Sequence, residues 1–113
     1  MQRIPTIEAT GKAKELLDGV QKQLGRVPNM MKVMAQSPVA LEGMLNLSAT
    51  LAGGALTPEL REQIAIAVSQ ANGCEYCLSA HTTLGKLRKL PPEELAAARQ
   101  AHSADAKTDA ALQ

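Results

Sequence analysis

The feature that most constrains the fold is a recurring pair of helix start and stop signals. Ser37-Pro38 and Thr57-Pro58 each place a capping hydroxyl before a proline, and proline suits a first helical position because it has no N–H to leave unpaired. Pro91-Pro92 opens a further helix in a similar way. Gly25 and Gly53-Gly54 stand where apolar patterns end, as glycines that terminate helices do. These signals predict an all-α protein.

Apolar residues recur every three or four positions between these signals, which is the helical period. The predicted helices run from Glu8 to Leu24, from a cap at Asn29 through Met30 to Ala35, from Ser37 to Gly53, from Thr57 to Ala71, from Cys74 to Arg88, from Leu95 to Ala101, and onward from Thr108 or Asp109. We expect the methionines near residue 30 to fill the core rather than to bind a cofactor. The third helix is predicted to be a central core helix. The fourth is apolar around nearly its whole circumference, which predicts burial on most sides.

Composition supports a small helical core and an assembly. The sequence has 113 residues with no Phe, no Trp, one Tyr and five Met, so Leu, Val, Ile, Ala and Met must fill the core. A chain of this length is expected to form one domain, residues 1–113, without repeats or linkers. Small domains bury a modest share of their surface, which favours a homo-oligomer. The alanine-rich end stops without a cap, so we expect the sequence to be truncated at its C-terminal end.

Charge and hydropathy exclude several classes of partner. The formal net charge is +1 with acidic and basic residues interspersed, which gives no basic surface for nucleic acid. No apolar run approaches the ~20 residues of a membrane span, and the first residues lack the apolar segment of a signal peptide. We therefore expect a cytoplasmic protein with neither nucleic-acid nor membrane partners. In a reducing compartment, a C-x-x-C pair is more often redox-active or metal-binding than structural.

The chemistry concentrates in one stretch that follows the Asn72-Gly73 turn. If a helix begins at Cys74, then Cys74, Cys77 and His81 occupy positions i, i+3 and i+7, within an arc of roughly 60°. Helical Cα atoms three residues apart lie roughly 5 Å from each other, within the range that a disulfide tolerates. Two thiols and one imidazole therefore share a face, and the thiols can join without unwinding the helix.

A thiol pair of this kind needs activation to react at neutral pH. A free cysteine has a pKa near ~8.5, whereas thiolate is the reactive form, and both a helix start and a neighbouring histidine favour thiolate. His81 lies one turn beyond Cys77 and can accept its proton. A second thiol can condense with a sulfenic acid formed on the first, leaving a reducible disulfide. These parts suit a two-cysteine thiol peroxidase or disulfide oxidoreductase, and helix position alone favours Cys74 as the attacking thiol.

The pattern Glu62, eleven residues, Cys74-Glu75-Tyr76-Cys77, three residues, His81 resembles the signature of the AhpD-like alkylhydroperoxidases, within the carboxymuconolactone decarboxylase superfamily. Val27-Pro28-Asn29, Leu60-Arg61-Glu62 and Asn72-Gly73-Cys74 resemble its peroxidase-related branch, so the resemblance covers roughly Leu24 to Pro92. It implies an all-α fold around a helical hairpin that carries the cysteines. It also implies trimers or hexamers with active sites near subunit contacts.

The resemblance also assigns roles. Cys77 would be the peroxidatic cysteine and Cys74 the more accessible resolving cysteine, which exchanges with a dithiol or protein-thiol reductant. His81 would be the base and Glu62 its partner in a proton relay through water. Tyr76 stands where the best-characterised members carry a second histidine; a phenol can hydrogen-bond but is no base at neutral pH, so Tyr76 is a candidate accessory residue. The implied substrate is a hydroperoxide, and no cofactor is implied.

Other hypotheses remain open from the sequence. One hypothesis is that the cysteines are simply two buried, reduced thiols. Cys74, Cys77, His81 and Glu62 can instead supply four zinc ligands, although structural zinc sites usually join two separate ligand pairs and a second pair is lacking. A carboxymuconolactone decarboxylase-like enzyme and a non-catalytic helical oligomer are further alternatives; the superfamily's decarboxylases generally lack the cysteine pair. His102 is predicted to be a surface histidine.

Overall fold

The computed structural model describes residues 4–6 and 8–113 and confirms the all-α prediction. Within these residues it contains seven helices and no strand. The helices are α1 (Gly11–Leu24), α2 (Asn29–Met34), α3 (Pro38–Ala52), α4 (Pro58–Ala71), α5 (Glu75–Leu87), α6 (Pro92–Ala98) and α7 (Ala106–Leu112). None of the helices in this described part is long and apolar enough to cross a membrane.

The local signals account for most helix ends. Gly25 ends α1 in the left-handed conformation, with φ 73°, and its N–H donates to the carbonyl of Gln21. Ser37 and Thr57 cap α3 and α4, because each side-chain oxygen accepts from the backbone N–H three residues on. The predicted cap at Asn29 is wrong: Pro28 occupies the cap position and Asn29 is the first helical residue of α2.

The chain divides into two compact units, Met1–Gly54 and Ala55–Gln113, and the expectation of a single domain stays a prediction. In the first unit, α1 and α2 both pack against α3. The buried residues there are Ala13, Ala35 and Leu41, surrounded by partly buried Ala9, Leu16, Leu17, Met31, Met34, Met44 and Leu45. Of the three methionines near residue 30, Met31 and Met34 pack against the core as predicted, whereas Met30 is exposed.

The prediction that α3 is a central core helix is only partly right. Leu41 is fully buried, but Val39, Leu47 and Leu51 have exposed fractions of 80%, 60% and 58%. These three residues fall within roughly 120° of the helix circumference. The helix therefore has one buried face and one apolar face that the single chain leaves in solvent.

The second unit is built on the α4–α5 hairpin, with α6 and α7 packed against α4. Ile66, Leu95 and Ala98 form its buried core, and Leu78 and Leu90 pack against them. Gly85 lets α5 approach α6, because a Cβ at this position would lie 2.7 Å from Cδ2 of Leu95. The core thus holds α5, the helix that carries the cysteines, against its neighbours.

The prediction that α4 is buried on most sides is only partly right for the single chain, because residues 60–67 are all at least partly buried but only a few positions of the helix are fully buried. Its buried residues are Gln63, Ile66 and Ser69, which recur every three positions and form one stripe. Val68 lies outside that stripe with an exposed fraction of 53%. The polar stripe residues are satisfied: Gln63 bonds to Glu94, and the Ser69 hydroxyl donates to the carbonyl of Ala65.

Candidate active site

A tight turn between α4 and α5 presents the cysteine pair. Gly73 adopts a left-handed φ of 63°, which is easy only for glycine, and Asn72 precedes it as the C-cap of α4. The N–H of Cys74 then donates to the carbonyl of Ser69 at 3.0 Å, so the residue is tied to the end of α4. Cys74 is the N-cap of α5, and the helix itself begins at Glu75. The C-x-x-C pair therefore lies at a helix start, as predicted.

Cys74 and Cys77 form a disulfide within one helical turn, with their Cα atoms 5.3 Å apart. Both residues are partly exposed. The backbone N–H of Cys77 donates to Sγ of Cys74 at 3.3 Å, so a sulfur takes the place of the usual capping oxygen. The hypothesis of two buried reduced thiols is therefore wrong for this state of the protein. In the reduced protein, the start of the helix and this N–H would both favour a thiolate at Cys74.

Glu62 and His81 meet across the hairpin. Nδ1 of His81 lies 2.8 Å from Oε2 of Glu62, with side-chain exposed fractions of 36% for the histidine and 15% for the glutamate. An ionised carboxylate only accepts hydrogen bonds, so Nδ1 carries a hydrogen and Nε2 is left to exchange a proton. The predicted link through water is not needed, because the two side chains contact each other directly.

The helical spacing of α5 sets the position of His81 relative to the sulfurs. His81 is four residues after Cys77, so the two side chains occupy the same face, one turn apart. Within the described part of the chain no hydrogen bond joins His81 to either sulfur. Tyr76 is 52% exposed and its phenol makes no hydrogen bond to any described residue, so its accessory role stays a prediction.

The geometry agrees with a comparison to known protein families. The model of the carboxymuconolactone decarboxylase family matches residues 38–113, which include α3 and the entire second unit. The chain belongs to the carboxymuconolactone decarboxylase family. Neither a search of curated proteins nor a search of solved structures found a match.

This family member also holds a polar cluster that the sequence analysis missed. Glu94, in the first turn of α6, accepts hydrogen bonds from Ser103 Oγ at 2.7 Å, from the N–H of Ala104 at 3.0 Å and from Nε2 of Gln63 at 3.0 Å. These bonds lower the pKa of Glu94 below its ordinary value of 4.5, and the bond from Ser103 has the largest effect. The ionised carboxylate of Glu94 therefore stabilises the folded protein above pH 4.5, and this contribution is lost as the pH falls through the lowered pKa.

The cluster matters for the site because Gln63 directly follows Glu62 on α4. By joining α4 to α6 and to the segment before α7, Glu94 fixes the helix that carries Glu62. No sequence motif marks it. The only local signal is a glutamate in the first turn of a proline-led helix, which is also the ordinary place for a solvated carboxylate.

Two further predictions for this region concern metal binding and His102. Within residues 4–6 and 8–113, no group of three His, Cys, Asp or Glu side chains is placed to hold a metal ion. The disulfide also occupies both sulfurs that the zinc hypothesis needs. His102 is a surface histidine, as predicted; its Nδ1 lies 3.1 Å from Oδ1 of Asp109, and its side chain is 63% exposed.

Proposed function

We propose that this protein is a thiol-dependent hydroperoxidase whose redox centre is the Cys74–Cys77 pair. The observation that carries the proposal is a disulfide at the start of α5 with an oriented histidine one turn further along the same face. A carboxylate that orients an imidazole beside a thiol is the arrangement that activates a nucleophile. A disulfide across one turn is the product that a two-cysteine peroxidase forms in each cycle.

In the first step, Cys77 attacks the hydroperoxide. In the reduced protein its sulfur is free to turn toward His81, which takes the thiol proton at Nε2. The thiolate attacks the outer oxygen of a hydroperoxide, the O–O bond breaks, and the alkoxide leaves as alcohol after receiving a proton from the imidazolium. Cys77 becomes a sulfenic acid. Glu62 holds the ring and stabilises its protonated form during the transfer.

In the second step, Cys74 resolves the sulfenic acid on Cys77. Its sulfur faces the N–H of Cys77 and the start of α5, and both favour thiolate. That thiolate attacks the sulfur of the sulfenic acid, the S–O bond breaks, and water leaves with the proton released by Cys74. The sequence argument from helix position, with Cys74 attacking the peroxide, competes with this order. The position of His81 one turn beyond Cys77 favours Cys77 as the attacking thiol and Cys74 as the resolving one.

Decarboxylation is the second activity suggested by the family's description. The proposal prefers thiol chemistry because a cysteine pair that closes into a disulfide has no role in removing carbon dioxide from a substrate. A test of the reduced protein with an organic hydroperoxide decides between them. We expect about one hydroperoxide consumed per chain without reductant, and continuous turnover when a dithiol is added.

The covalent product of that reaction is a sharper test than the rate. Mass spectrometry of the protein after one turnover should find the Cys74–Cys77 disulfide within one chain, because the two Cα atoms are only 5.3 Å apart. A stable interchain disulfide, or no consumption of hydroperoxide by a folded protein, contradicts the proposal.

We also propose that the protein works as a homo-oligomer, a trimer or a hexamer. The apolar α3 face of Val39, Leu47 and Leu51 is exposed in the single chain, and several large apolar side chains exposed on one helix face are typical of interfaces. A second copy of the chain is the expected occupant. Light scattering at micromolar concentration should give a mass at least three times that of the 11.9 kDa chain. A monomer under those conditions contradicts this proposal.

A further inference from the structure

A polar groove runs along α5 and ends beside the disulfide. It consists of two adjoining cavities of about 420 Å³ and about 190 Å³, which share Glu75, Leu78 and Arg99. The smaller cavity is lined by Cys74, whereas neither cavity is lined by Cys77 or His81 among the described residues. The larger volume falls within the roughly 300–1,000 Å³ of small-molecule sites.

The groove uses a different face of α5 from the proposed peroxide chemistry. Ser79, Thr82 and Lys86 line it and recur every three or four positions, so they form one side of the helix. At 100° per residue this side lies roughly 150° around the helix from Cys77 and His81. Cys74, at the N-cap, lines the smaller cavity and is bonded to Cys77, so the groove leads to one of the two cysteines of the disulfide.

The groove carries two cations without an ion-pair partner in the described part of the chain, Lys86 and Arg99. Nε of Arg99 donates to Oε1 of Gln70 at 3.0 Å, which orients the guanidinium and leaves both Nη groups without a bond to any described residue. The hydroxyls of Ser79 and Thr82 are likewise unbonded within residues 8–113. Among the residues that the structure describes, Glu75 is the only acidic one that lines the groove.

We propose that this groove binds the carboxylate of a low-molecular-weight thiol and guides its sulfur to Cys74. A guanidinium with free Nη groups suits a carboxylate, because it can donate two parallel hydrogen bonds. Lys86 adds a second positive charge, and the hydroxyls add donors. This inference rests on the proposed function, since it names the reductant class that reopens the disulfide.

The exchange balances with two thiols. The thiolate of the reductant attacks Sγ of Cys74, the bond between the two cysteines breaks, and its electron pair leaves on the sulfur of Cys77. A second thiolate then attacks the reductant's sulfur in the mixed disulfide and releases Cys74. Two thiols are oxidised to one disulfide, the protein gains two electrons, and the two protons that the thiols lose end on the cysteines.

The test compares two probes that differ only in the charged group, 3-mercaptopropionate and 3-mercaptopropionamide. The full chain is oxidised beforehand without peroxide, mixed with each thiol, quenched with acid and alkylated, and loss of the disulfide is followed by mass spectrometry. Each rate is expressed per thiolate. It is then divided by the rate at which the same thiol reduces a small-molecule disulfide, which has no groove. We expect the carboxylate to react roughly three- to tenfold faster at low salt, and high salt to reduce the ratio.

The variants locate the effect. Arg99→Gln and Lys86→Gln should each lower the ratio toward one, whereas Arg88→Gln, an equal change of charge outside the groove, should keep it. Peptide mapping should place the mixed disulfide on Cys74. Equal rates for the two probes, a ratio that both groove variants retain, or a mixed disulfide on Cys77 would overturn the inference. If Arg99→Gln does not fold, Lys86→Gln decides, because Lys86 is exposed and its ammonium group makes no hydrogen bond to any described residue.

This assay contains no hydroperoxide, so its outcome is separate from that of the proposed function. A protein that prefers the carboxylate thiol but does not consume hydroperoxide contradicts the peroxidase proposal alone. A protein that turns over hydroperoxide but does not distinguish the two thiols contradicts the groove alone.

Discussion

Cys77→Ser is expected to reduce hydroperoxide consumption to the uncatalysed background. A serine hydroxyl is not ionised near neutral pH and cannot form the sulfenic acid, so the first step has no nucleophile. The change is small in volume and lies in the first turn of α5, where serine is tolerated. The measurement is the initial rate of hydroperoxide loss with a dithiol reductant.

Cys74→Ser is the matched variant, because it removes the other sulfur of the same disulfide and leaves a capping oxygen at the start of α5. It should still react once with hydroperoxide, and a dimedone probe should trap a sulfenic acid on Cys77. If the trapped sulfenic acid instead appears on Cys74 in the Cys77→Ser protein, the attacking and resolving roles are exchanged.

The second large effect is expected at the Glu62–His81 pair. Glu62→Gln keeps the shape of the side chain that lies 2.8 Å from the imidazole but removes its charge. The imidazolium then loses its partner, thiolate formation at Cys77 should move to higher pH, and peroxide turnover at pH 7 should fall by roughly 10²–10⁴-fold. His81→Ala should be at least as damaging, because it removes the proton acceptor itself.

Two control variants separate this pair from general effects of charge. Glu59→Gln removes a carboxylate from the first turn of the same helix, and His102→Ala removes the other histidine, which is 63% exposed. Both should keep turnover near that of the unmodified protein. The thiolate is followed by its ultraviolet absorbance across pH. If Glu62→Gln changes neither the titration nor the rate in a folded protein, Glu62 is only a carboxylate near the start of α4.

The helices could be predicted from the sequence because their signals are local. A cap such as Ser37 or Thr57 bonds to a backbone N–H three residues away, and Gly25 ends α1 through its own φ. Asn29 shows where this reasoning fails: asparagine is a good cap, but Pro28 takes the cap position and Asn29 is the first residue of the helix. Local rules thus place a helix but not always its first residue.

The buried faces could not be predicted in the same way. The apolar residues of α4 surround the helix, yet its buried stripe contains Gln63 and Ser69 while Val68 is exposed. Which face is buried depends on where α5, α6 and α7 pack, and that is a property of contacts between residues distant in sequence. Glu94 illustrates the same point, since its partner Gln63 is 31 residues away.

The sequence by itself determined the helices and the alignment of Cys74, Cys77 and His81, because residues within one helix are related by a fixed rise and rotation. The family resemblance added Glu62, 19 residues from His81, and only the folded hairpin brings these two side chains into direct contact. Arg99, the C-cap of α6, lines the groove beside the disulfide, and no motif in the sequence marks it. Spacing along a helix is set by backbone geometry, whereas meetings between helices are set by packing, and packing is decided by the tertiary structure.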